Sequence, residues 1–322
     1  MVFLKTGGRD RNKLVFRGAH FPECYSFVSI KSDMDMMRVW LFLLLFAWGN
    51  GAVAQISPKD KAILRTFWKY AEKHNLAELP VNERIPYVAR FFIGTPYKGN
   101  TLNVTKGELP VINLRELDCV TFIENVLALS FLPGYGAAYE SAFVRNIVKI
   151  RYRNGEIEDY ASRLHYSSDW LYEMQRQRLL TDLTLFAGGV DYRPQVCFMT
   201  RHYDRYPALK DSPELREKMK GIEAEINKRT YYYVPKAEVD KAYGKIKDGD
   251  IILFTTNIEG LDTSHIGFAL KQNGNTYLLH ASSSGKQVMI SKNPLKEYME
   301  GVNIQSGIML ARAAKVVPAN AK

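Results

Sequence analysis

One cysteine and two histidines have the residue types of a nucleophile, its base and an orienting partner. Cys119 lies at the start of an apolar run, His265 begins a short β-type run, and His280 ends the next one. A cysteine nucleophile needs a base to accept its proton, and the base needs a group that fixes its ring. These three side chains are therefore the first candidates for the machinery of a cysteine hydrolase.

The segment Asp118–Phe131 is predicted to be the helix that presents the cysteine. Apolar residues recur along it at helical spacing, at Val120, Ile123, Leu127 and Phe131, which indicates a helix with an apolar face. Asp118 fits the N-cap, so Cys119 falls in the first turn, where the helix dipole favours an anion and lowers a thiol pKa. The alternative is a small core residue, because free cysteines are often buried. This segment alone leaves both interpretations open.

The two histidines are predicted to meet across a β-hairpin. They are 15 positions apart, and Asn273–Asn275 supplies turn residues between their strands. Two antiparallel strands joined there would place His265 and His280 at corresponding ends, and Gly267 would allow a close approach of the backbones. An isolated histidine is usually a hydrogen-bonded structural residue, but two of them beside a helix-start cysteine favour catalysis.

Composition is that of an ordinary globular chain. The 322 residues are 46% hydrophobic and 24% charged, with 44 basic and 34 acidic residues and a net charge of +10. The basic residues are scattered, so we expect no nucleic-acid partner. No cysteine–histidine set has zinc spacing, and no Cys-x-x-Cys occurs. We therefore expect no metal and no cofactor, and we set aside a thiol redox protein.

The N-terminal region is interpreted as a targeting segment. We interpret residues 1–35 as a mis-called start or a disordered extension and residues 36–54 as a signal peptide. The apolar core Val39–Trp48 has ten residues, too few to span a bilayer. Ala52-Val53-Ala54 fits the small-x-small rule, which predicts cleavage before Gln55. A periplasmic or secreted protein without stable membrane insertion is expected.

Residues 55–322 are predicted to form one catalytic domain of the α+β class, with insertions. Helical patterns precede β-type runs, which points to that class. The helices expected besides that of Cys119 are Ser57–His74, Asn82–Ile93, Tyr139–Tyr152, Trp170–Arg178 and Ser212–Lys228. The strands expected are Ile251–Thr255, Ile266–Leu270, Tyr277–His280, Val288–Ser291 and Ile308–Arg312. Their close spacing suggests an antiparallel, partly closed sheet packed against the cysteine helix. Phe186–Tyr206 is predicted to be strand and loop.

The order of these motifs resembles that of the NlpC-type cell-wall cysteine peptidases. The resemblance rests on Asp118-Cys119 opening a helix, on a strand with His265-Ile266-Gly267, and on a strand ending at His280. It implies a papain-like fold in which Cys119 is the nucleophile, His265 the base and His280 the orienter. Val120-Thr121-Phe122 departs from the Ser-Gly-Phe that is usual there.

More of the chain resembles the N-acetylmuramoyl-L-alanine amidase-like branch of that superfamily. The resemblance spans about residues 57–315 and is carried by Gly94–Tyr97, Asn113–Phe122, Arg163–Trp170 and Tyr206–Leu209. It implies hydrolysis of the amide between N-acetylmuramic acid and L-alanine, by thiolate attack and an acyl-enzyme. The implied partner is peptidoglycan or a muropeptide, and we expect a monomer.

Seven residues are predicted to contact this substrate. They are Tyr97, Asp118, Arg163, His165, Tyr166, Trp170 and Ser264. The Arg163–Trp170 segment combines aromatic faces with charges, which suits a sugar. The alternatives are a structural tyrosine at position 97 and a helix-capping segment with a core tryptophan. At the level of function, the alternatives are a stem-peptide endopeptidase of the same fold and a catalytically silent wall-binding protein.

Overall fold

The computed structural model describes residues 56–103 and 107–314. The predicted start, signal peptide and cleavage site lie outside the described residues. In these two ranges, no helix is long and apolar enough to cross a membrane.

Nine α-helices lie within the described ranges and are numbered here in chain order. They are α1 (Pro58–Lys73), α2 (Val81–Phe91), α3 (Cys119–Ser130), α4 (Glu140–Arg151), α5 (Ser167–Arg176), α6 (Phe198–Arg201), α7 (Pro207–Lys210), α8 (Pro213–Asn227) and α9 (Leu295–Glu300). Helices α1 to α4 and α8 confirm their predictions to within two residues at each end. Helices α1 and α8 begin at strong local signals, because the hydroxyl groups of Ser57 and Ser212 cap them just before a proline.

Two predicted boundaries need correction. Helix α5 begins at Ser167, three residues earlier than expected, with Tyr166 at its N-cap and no side-chain cap. The segment Phe186–Tyr206 is not only strand and loop, because it also contains α6 and a short 3₁₀ turn. The carbonyl oxygen of Gly260 accepts hydrogen bonds from the first N–H groups at α6. This contact joins residues far apart in the chain, so no local sequence pattern predicts it.

The strands form one eight-stranded antiparallel sheet. They are β1 (Leu180–Asp182), β2 (Val190–Tyr192), β3 (Tyr231–Pro235), β4 (Ile251–Thr256), β5 (Thr263–Gln272), β6 (Asn275–Ser282), β7 (Gln287–Ile290) and β8 (Gln305–Ala313). The order is β2-β3-β8-β4-β5-β6-β7, with β1 also paired to β8. The five predicted strands, β4 to β8, and the α+β class are confirmed. Within the described residues β2 and β7 end the order, and the predicted partial closure of the sheet stays a prediction.

Alternation along the strands divides the core between the two faces of the sheet. Leu253 of β4 packs in the cluster that also contains α3, whereas its neighbours Ile252 and Phe254 pack in the cluster that contains α9. The ring of Phe122 in α3 meets that of Phe268 in β5 edge-on, with 5.6 Å between the centroids. Helix α3, which presents Cys119, is thereby held directly against the strand that carries His265.

Helix α3 is buried on almost all sides except at its start. Val120, predicted to lie in the apolar stripe, is 40% exposed, whereas Thr121 and Phe122 in the same turn are 3% and 0% exposed. Further along α3, Glu124 accepts hydrogen bonds from the buried guanidinium of Arg151 at 2.7 and 2.8 Å. Arg151 also donates to the carbonyl oxygen of Val111 at 2.8 Å. This buried ion pair ties α3 to α4 and to the irregular segment that leads into the cysteine.

Candidate active site

A capping box fixes the helix turn that contains Cys119. The Asp118 carboxylate accepts the Thr121 N–H at 2.8 Å, and the Thr121 hydroxyl accepts the Asp118 N–H at 2.9 Å. Two otherwise unpaired N–H groups are thereby satisfied. The predicted N-cap is confirmed, and Thr121 replaces the usual glycine with a side chain that closes this box. The substrate contact predicted for Asp118 stays a prediction, since its carboxylate is engaged in the cap.

The environment of the Cys119 thiol opposes ionisation in the resting protein. Burial raises the pKa of Cys119 to about 12, and the negative charge of Asp118 adds to the effect. Backbone N–H groups of Ile266, Val120 and Cys119 itself act on the sulfur and lower the pKa in part. The expected low thiol pKa is therefore wrong for the resting state, because lost hydration outweighs the helix N-terminus. The contact with Ile266 places the sulfur beside the residue that follows His265.

The β5–β6 hairpin joins the two histidines as predicted. Gln272 pairs with Asn275 across a two-residue turn in which Asn273 and Gly274 have φ of 49° and 80°. Positive φ at both turn residues matches the twist of a tight hairpin. In the assembled hairpin, His265 Nε2 lies 2.7 Å from His280 Nδ1.

Gly267 makes room for this histidine contact. A Cβ atom at that position would stand 2.6 Å from Leu278 Cδ1 and 3.0 Å from His280 Cβ. Any larger side chain would therefore push β6 or the His280 side chain away. This agrees with the close backbone approach expected from the sequence.

A β-bulge and the hydrogen bonds of a buried aspartate set the direction of β5 just before His265. Phe254 pairs with His265, and Thr255 pairs with Thr263, so Ser264 is left without a ladder partner. Bulges bend a strand and redirect its side chains, often beside active sites. The Ser264 hydroxyl is buried and has no hydrogen-bond partner among the described residues. Its predicted substrate contact stays a prediction.

The buried aspartate is Asp262, which is 1% exposed. Its carboxylate accepts the N–H of Ser168 at 2.6 Å and that of Thr263 at 2.7 Å. The Thr263 hydroxyl donates to Ser167 at 2.7 Å. The first residues of α5 are thus fastened to the residues that precede the catalytic candidate His265.

Both histidines favour the neutral form. Burial lowers the pKa of His265 to about 3, with the charge of His280 adding to the effect. Burial also lowers the pKa of His280 to about 4. At neutral pH the resting site therefore contains a neutral thiol and two neutral imidazoles.

The charge of Cys119 acts on two tyrosines. The Tyr97 N–H donates to the Lys286 carbonyl at 2.8 Å, and the neighbouring backbone pairs with Leu117 just before the cysteine helix. Burial raises the pKa of Tyr97 to about 12, and the charge of Cys119 contributes; the predicted substrate contact of Tyr97 stays a prediction. Tyr298 of α9 was missed; its pKa is also raised to about 12, by burial and in part by Cys119. Helix α9 has six residues, too few for a clear periodic signal.

The polar residues of the Arg163–Trp170 segment are engaged with the scaffold. Arg163 forms an ion pair with Glu108 at 2.7 Å. His165 Nε2 lies 2.9 Å from the carbonyl oxygen of Tyr160. Burial lowers the pKa of His165 to about 3, and the charge of Arg163 contributes.

The two large aromatic residues of that segment lie in the core. Tyr166 is 2% and Trp170 5% exposed. The Tyr166 hydroxyl donates to Glu223 at 2.7 Å, and the Trp170 indole N–H donates to the Ile150 carbonyl at 3.1 Å. The contacts described for this segment join it to the scaffold and not to Cys119 or the histidines. The four substrate contacts predicted here stay predictions, and burial favours the structural alternative.

The second cysteine of the described ranges is separate from the candidate site. Both Cys119 and Cys197 are free, as required if one of them is a nucleophile. Cys197 is partly exposed, and it lines a cavity of about 590 Å³ with residues of α6 and α8. Over the ranges that the structure describes, no group of three or more acidic, cysteine or histidine residues could hold a metal.

Comparisons with known proteins agree on one family. Residues 87–308 match the family described as AmiA-like, N-acetylmuramoyl-L-alanine amidase-like. A crystal structure of an N-acetylmuramoyl-L-alanine amidase from Bacteroides uniformis is 37% identical with a TM-score of 0.68, covering 72% of this chain and 98% of that one. A Bacteroides fragilis structure named as a xylanase is 38% identical with a TM-score of 0.66, covering 70% of this chain and 98% of that one.

A Legionella pneumophila protein shares the fold at 21% identity and a TM-score of 0.58, covering 79% of this chain and 96% of that one. No curated protein matches the sequence. The family match covers residues 87–308, which include Cys119 and both histidines. The chain therefore belongs to the AmiA-like family of N-acetylmuramoyl-L-alanine amidase-like proteins.

Proposed function

We propose that the protein is a cysteine amidase with a papain-like, NlpC-type site that hydrolyses the amide between N-acetylmuramic acid and L-alanine. The observation that carries this proposal is the 2.7 Å contact between His265 and His280 on the strands next to the helix-start Cys119. The name of the Bacteroides uniformis relative supports the choice of bond. The substrate would be peptidoglycan or a muropeptide.

The histidine contact is compatible with a tautomer in which His265 can act as the base. If His265 Nε2–H donates to His280 Nδ1, the Nδ1 atom of His265 keeps a lone pair that can accept the thiol proton. The imidazolium that forms would be stabilised by the same bond. In this arrangement His265 is the base and His280 the orienter, and a glutamine at position 280 would preserve the acceptor.

The reaction then proceeds without an external reagent other than water. His265 accepts the thiol proton as the Cys119 sulfur attacks the amide carbon, and the backbone N–H of Cys119 is the candidate oxyanion donor. His265 gives the proton to the leaving nitrogen of L-alanine as the carbon–nitrogen bond breaks. Water, deprotonated by His265, attacks the thioester carbon and releases the muramyl carboxylate, and the thiol recovers its proton.

For the contacts with substrate we favour Tyr97, whose pKa is affected by the charge of Cys119. Ser264 is a further candidate because it lies on the bulge beside His265. Arg163, His165, Tyr166 and Trp170 would act by supporting the scaffold around this site.

An endopeptidase would use the same three residues on a different amide, so it remains the alternative that product analysis must separate. Glycoside hydrolysis, suggested by the name of the Bacteroides fragilis relative, normally uses two carboxyl groups. The carboxylate whose charge acts on the Cys119 thiol belongs to Asp118, and it is engaged in the helix cap. A silent wall-binding protein would have no need for a matched cysteine and histidine pair.

Peptidoglycan lies outside the cytoplasm, and the amidase family supports action there. We propose that residues 36–54 direct export, that cleavage precedes Gln55, and that residues 55–322 act as one monomeric catalytic domain. Mass spectrometry of the intact exported protein would test the cleavage site, and a chain that retains residues 36–54 would contradict it.

The deciding experiment is mass spectrometry of muropeptides after incubation with three proteins. Wild type and Cys197→Ala should release stem peptide beginning with L-alanine together with free muramyl sugar, whereas Cys119→Ala should release neither. EDTA should leave the rate unchanged if no metal takes part. Shortened stems still joined to sugar would instead identify an endopeptidase, and cleavage by Cys119→Ala would remove it as nucleophile.

A further inference from the structure

The histidine pair and two further aromatic rings, those of Tyr298 and Phe254, form a closed cycle of contacts. The centroid distances are 4.9 Å between His265 and His280, 5.5 Å between His280 and Tyr298, 5.7 Å between Tyr298 and Phe254, and 5.8 Å between Phe254 and His265. His280 meets both His265 and Tyr298 nearly edge-on, at 82° and 80°. Each histidine is therefore bounded by the other and by one ring that cannot exchange protons near neutral pH.

Tyr298 and Phe254 belong to different kinds of element, a helix and a strand. Phe254 is the cross-strand neighbour of His265 in β4 and is fully buried, so the sheet itself fixes it. Tyr298 belongs to α9, whose residues Leu295 and Met299 are buried in the cluster on this face of the sheet. Helix α9 thus brings an aromatic wall to a histidine that the sheet leaves uncovered.

Tyr298 is also coupled to the nucleophile. The charge of Cys119 contributes to the high pKa of Tyr298, behind the larger effect of burial. The side chain of Gln305 in β8, which is 3% exposed, acts in the opposite direction and lowers the pKa of Tyr298 in part. The Tyr298 ring thus contacts His280 and Phe254 and is close enough to Cys119 for the charge of the cysteine to affect its pKa.

We propose that Tyr298 is a positioning residue that closes the His280 side of the site, so that His280 stays in contact with His265 and shielded from water. This inference rests on the proposed function for its catalytic meaning, but the shielding is a property of the free protein. The ring and the hydroxyl group of Tyr298 can be tested separately, because the proposed exclusion of water belongs to the ring.

Shielding has a measurable consequence for the titration of His280. The groups in contact with the His280 ring are His265 from β5 and Tyr298 from α9, while its partner in β7 is the uncharged Met289. Burial is the cause that lowers the pKa of His280. Removing the ring of Tyr298 would hydrate His280 and return its pKa toward the ordinary value of about 6.5.

The test is an NMR titration of the histidine ring resonances in wild type, Tyr298→Phe, Tyr298→Leu and the control Met299→Leu. Met299→Leu alters a buried residue of the same helix and removes no ring. We expect the midpoint of His280 to rise by about one pH unit or more in Tyr298→Leu and to stay low in the other three. Tyr298→Met, whose flexible side chain fills irregular space, replaces the leucine variant if that variant does not fold.

Two outcomes would overturn the inference: an unchanged midpoint in a folded Tyr298→Leu or Tyr298→Met, or an equal rise in Tyr298→Phe. Because the titration needs no substrate, it stands apart from the amidase assay. If the midpoint rises but no amide is cleaved, the proposed function fails and the shielding role stands. If both hold, the acid limb of kcat/KM should move upward in Tyr298→Leu together with the midpoint.

Discussion

At the scale of single residues, the free candidate site favours a neutral thiol and a neutral imidazole, with the proton still on Cys119. Burial raises the pKa of Cys119 to about 12 and lowers that of His265 to about 3. A permanent thiolate–imidazolium pair is therefore disfavoured in the free protein. Proton transfer would accompany attack on the substrate carbonyl, because the oxyanion donors stabilise the negative charge that then develops on the carbonyl oxygen. The fixed His265–His280 contact would keep the base ready for that moment.

This charge state predicts how Cys119 responds to alkylation. In a Cys197→Ala background, the rate of iodoacetamide modification should be low near pH 6 and rise about tenfold per pH unit toward alkaline pH, because only the thiolate reacts. Mass spectrometry at timed intervals gives the rate, and free cysteine in the same buffer is the control. A rate that is already at its plateau below pH 6 would contradict the neutral pair and establish a resting thiolate.

At the scale of elements, the start of α3 and the start of β5 deliver the reactive groups, and each is held by an acidic residue. Asp118 caps α3, and Asp262 fastens β5 to the first residues of α5. The two carboxylates differ in their effect on the chemistry, since the charge of Asp118 raises the pKa of the Cys119 thiol. The cap therefore positions the nucleophile and at the same time restrains its ionisation.

Substitutions of Asp118 separate these two effects. Asp118→Asn keeps an N-cap side chain but removes the charge, so it should change the free energy of unfolding by only a few tenths of a kcal/mol and speed alkylation of Cys119. Asp118→Ala should cost about 1 kcal/mol of stability. Urea unfolding and the alkylation assay measure both. Equal alkylation rates in wild type and Asp118→Asn would rule out the restraining charge.

At the scale of the whole molecule, the predictable features are those with local signals. The caps and prolines of α1 and α8, the apolar run of α3 and the Asn273-Gly274 turn specified their elements, and the turn specified the histidine contact. The features that sequence analysis did not predict depend on contacts between residues far apart in the chain. They are the burial of Trp170, the bulge at Ser264 and the contact of the Tyr298 ring with His280. The thiol pKa belongs to this second group, because the helix N-terminus can be identified in the sequence but the depth of burial cannot.

Burial of uncharged histidines also sets the acid stability of the whole fold. Burial lowers the pKa of His165, His265 and His280 to about 3, 3 and 4, below the value of about 6.5 in an unfolded chain. The unfolded chain therefore binds more protons below pH 6.5, so the free energy of unfolding should fall as pH falls from there, by up to about 1.4 kcal/mol per pH unit for each fully buried ring.

The histidine contribution can be isolated with one variant outside the catalytic trio. Buried carboxyl groups with raised pKa, such as Asp182 and Asp262, act in the opposite direction, so the difference between two proteins is more informative than one curve. His165→Gln keeps a donor for the Tyr160 carbonyl. Between pH 6.5 and 4.5 it should reduce the slope of the free energy of unfolding against pH by up to about 1.4 kcal/mol per pH unit, the contribution of one proton. Urea unfolding across that range, with pH 7 to 8 as the internal control, measures the difference. Parallel curves below pH 6.5 would show that His165 is protonated equally in the folded and unfolded states, and that its burial carries no acid sensitivity.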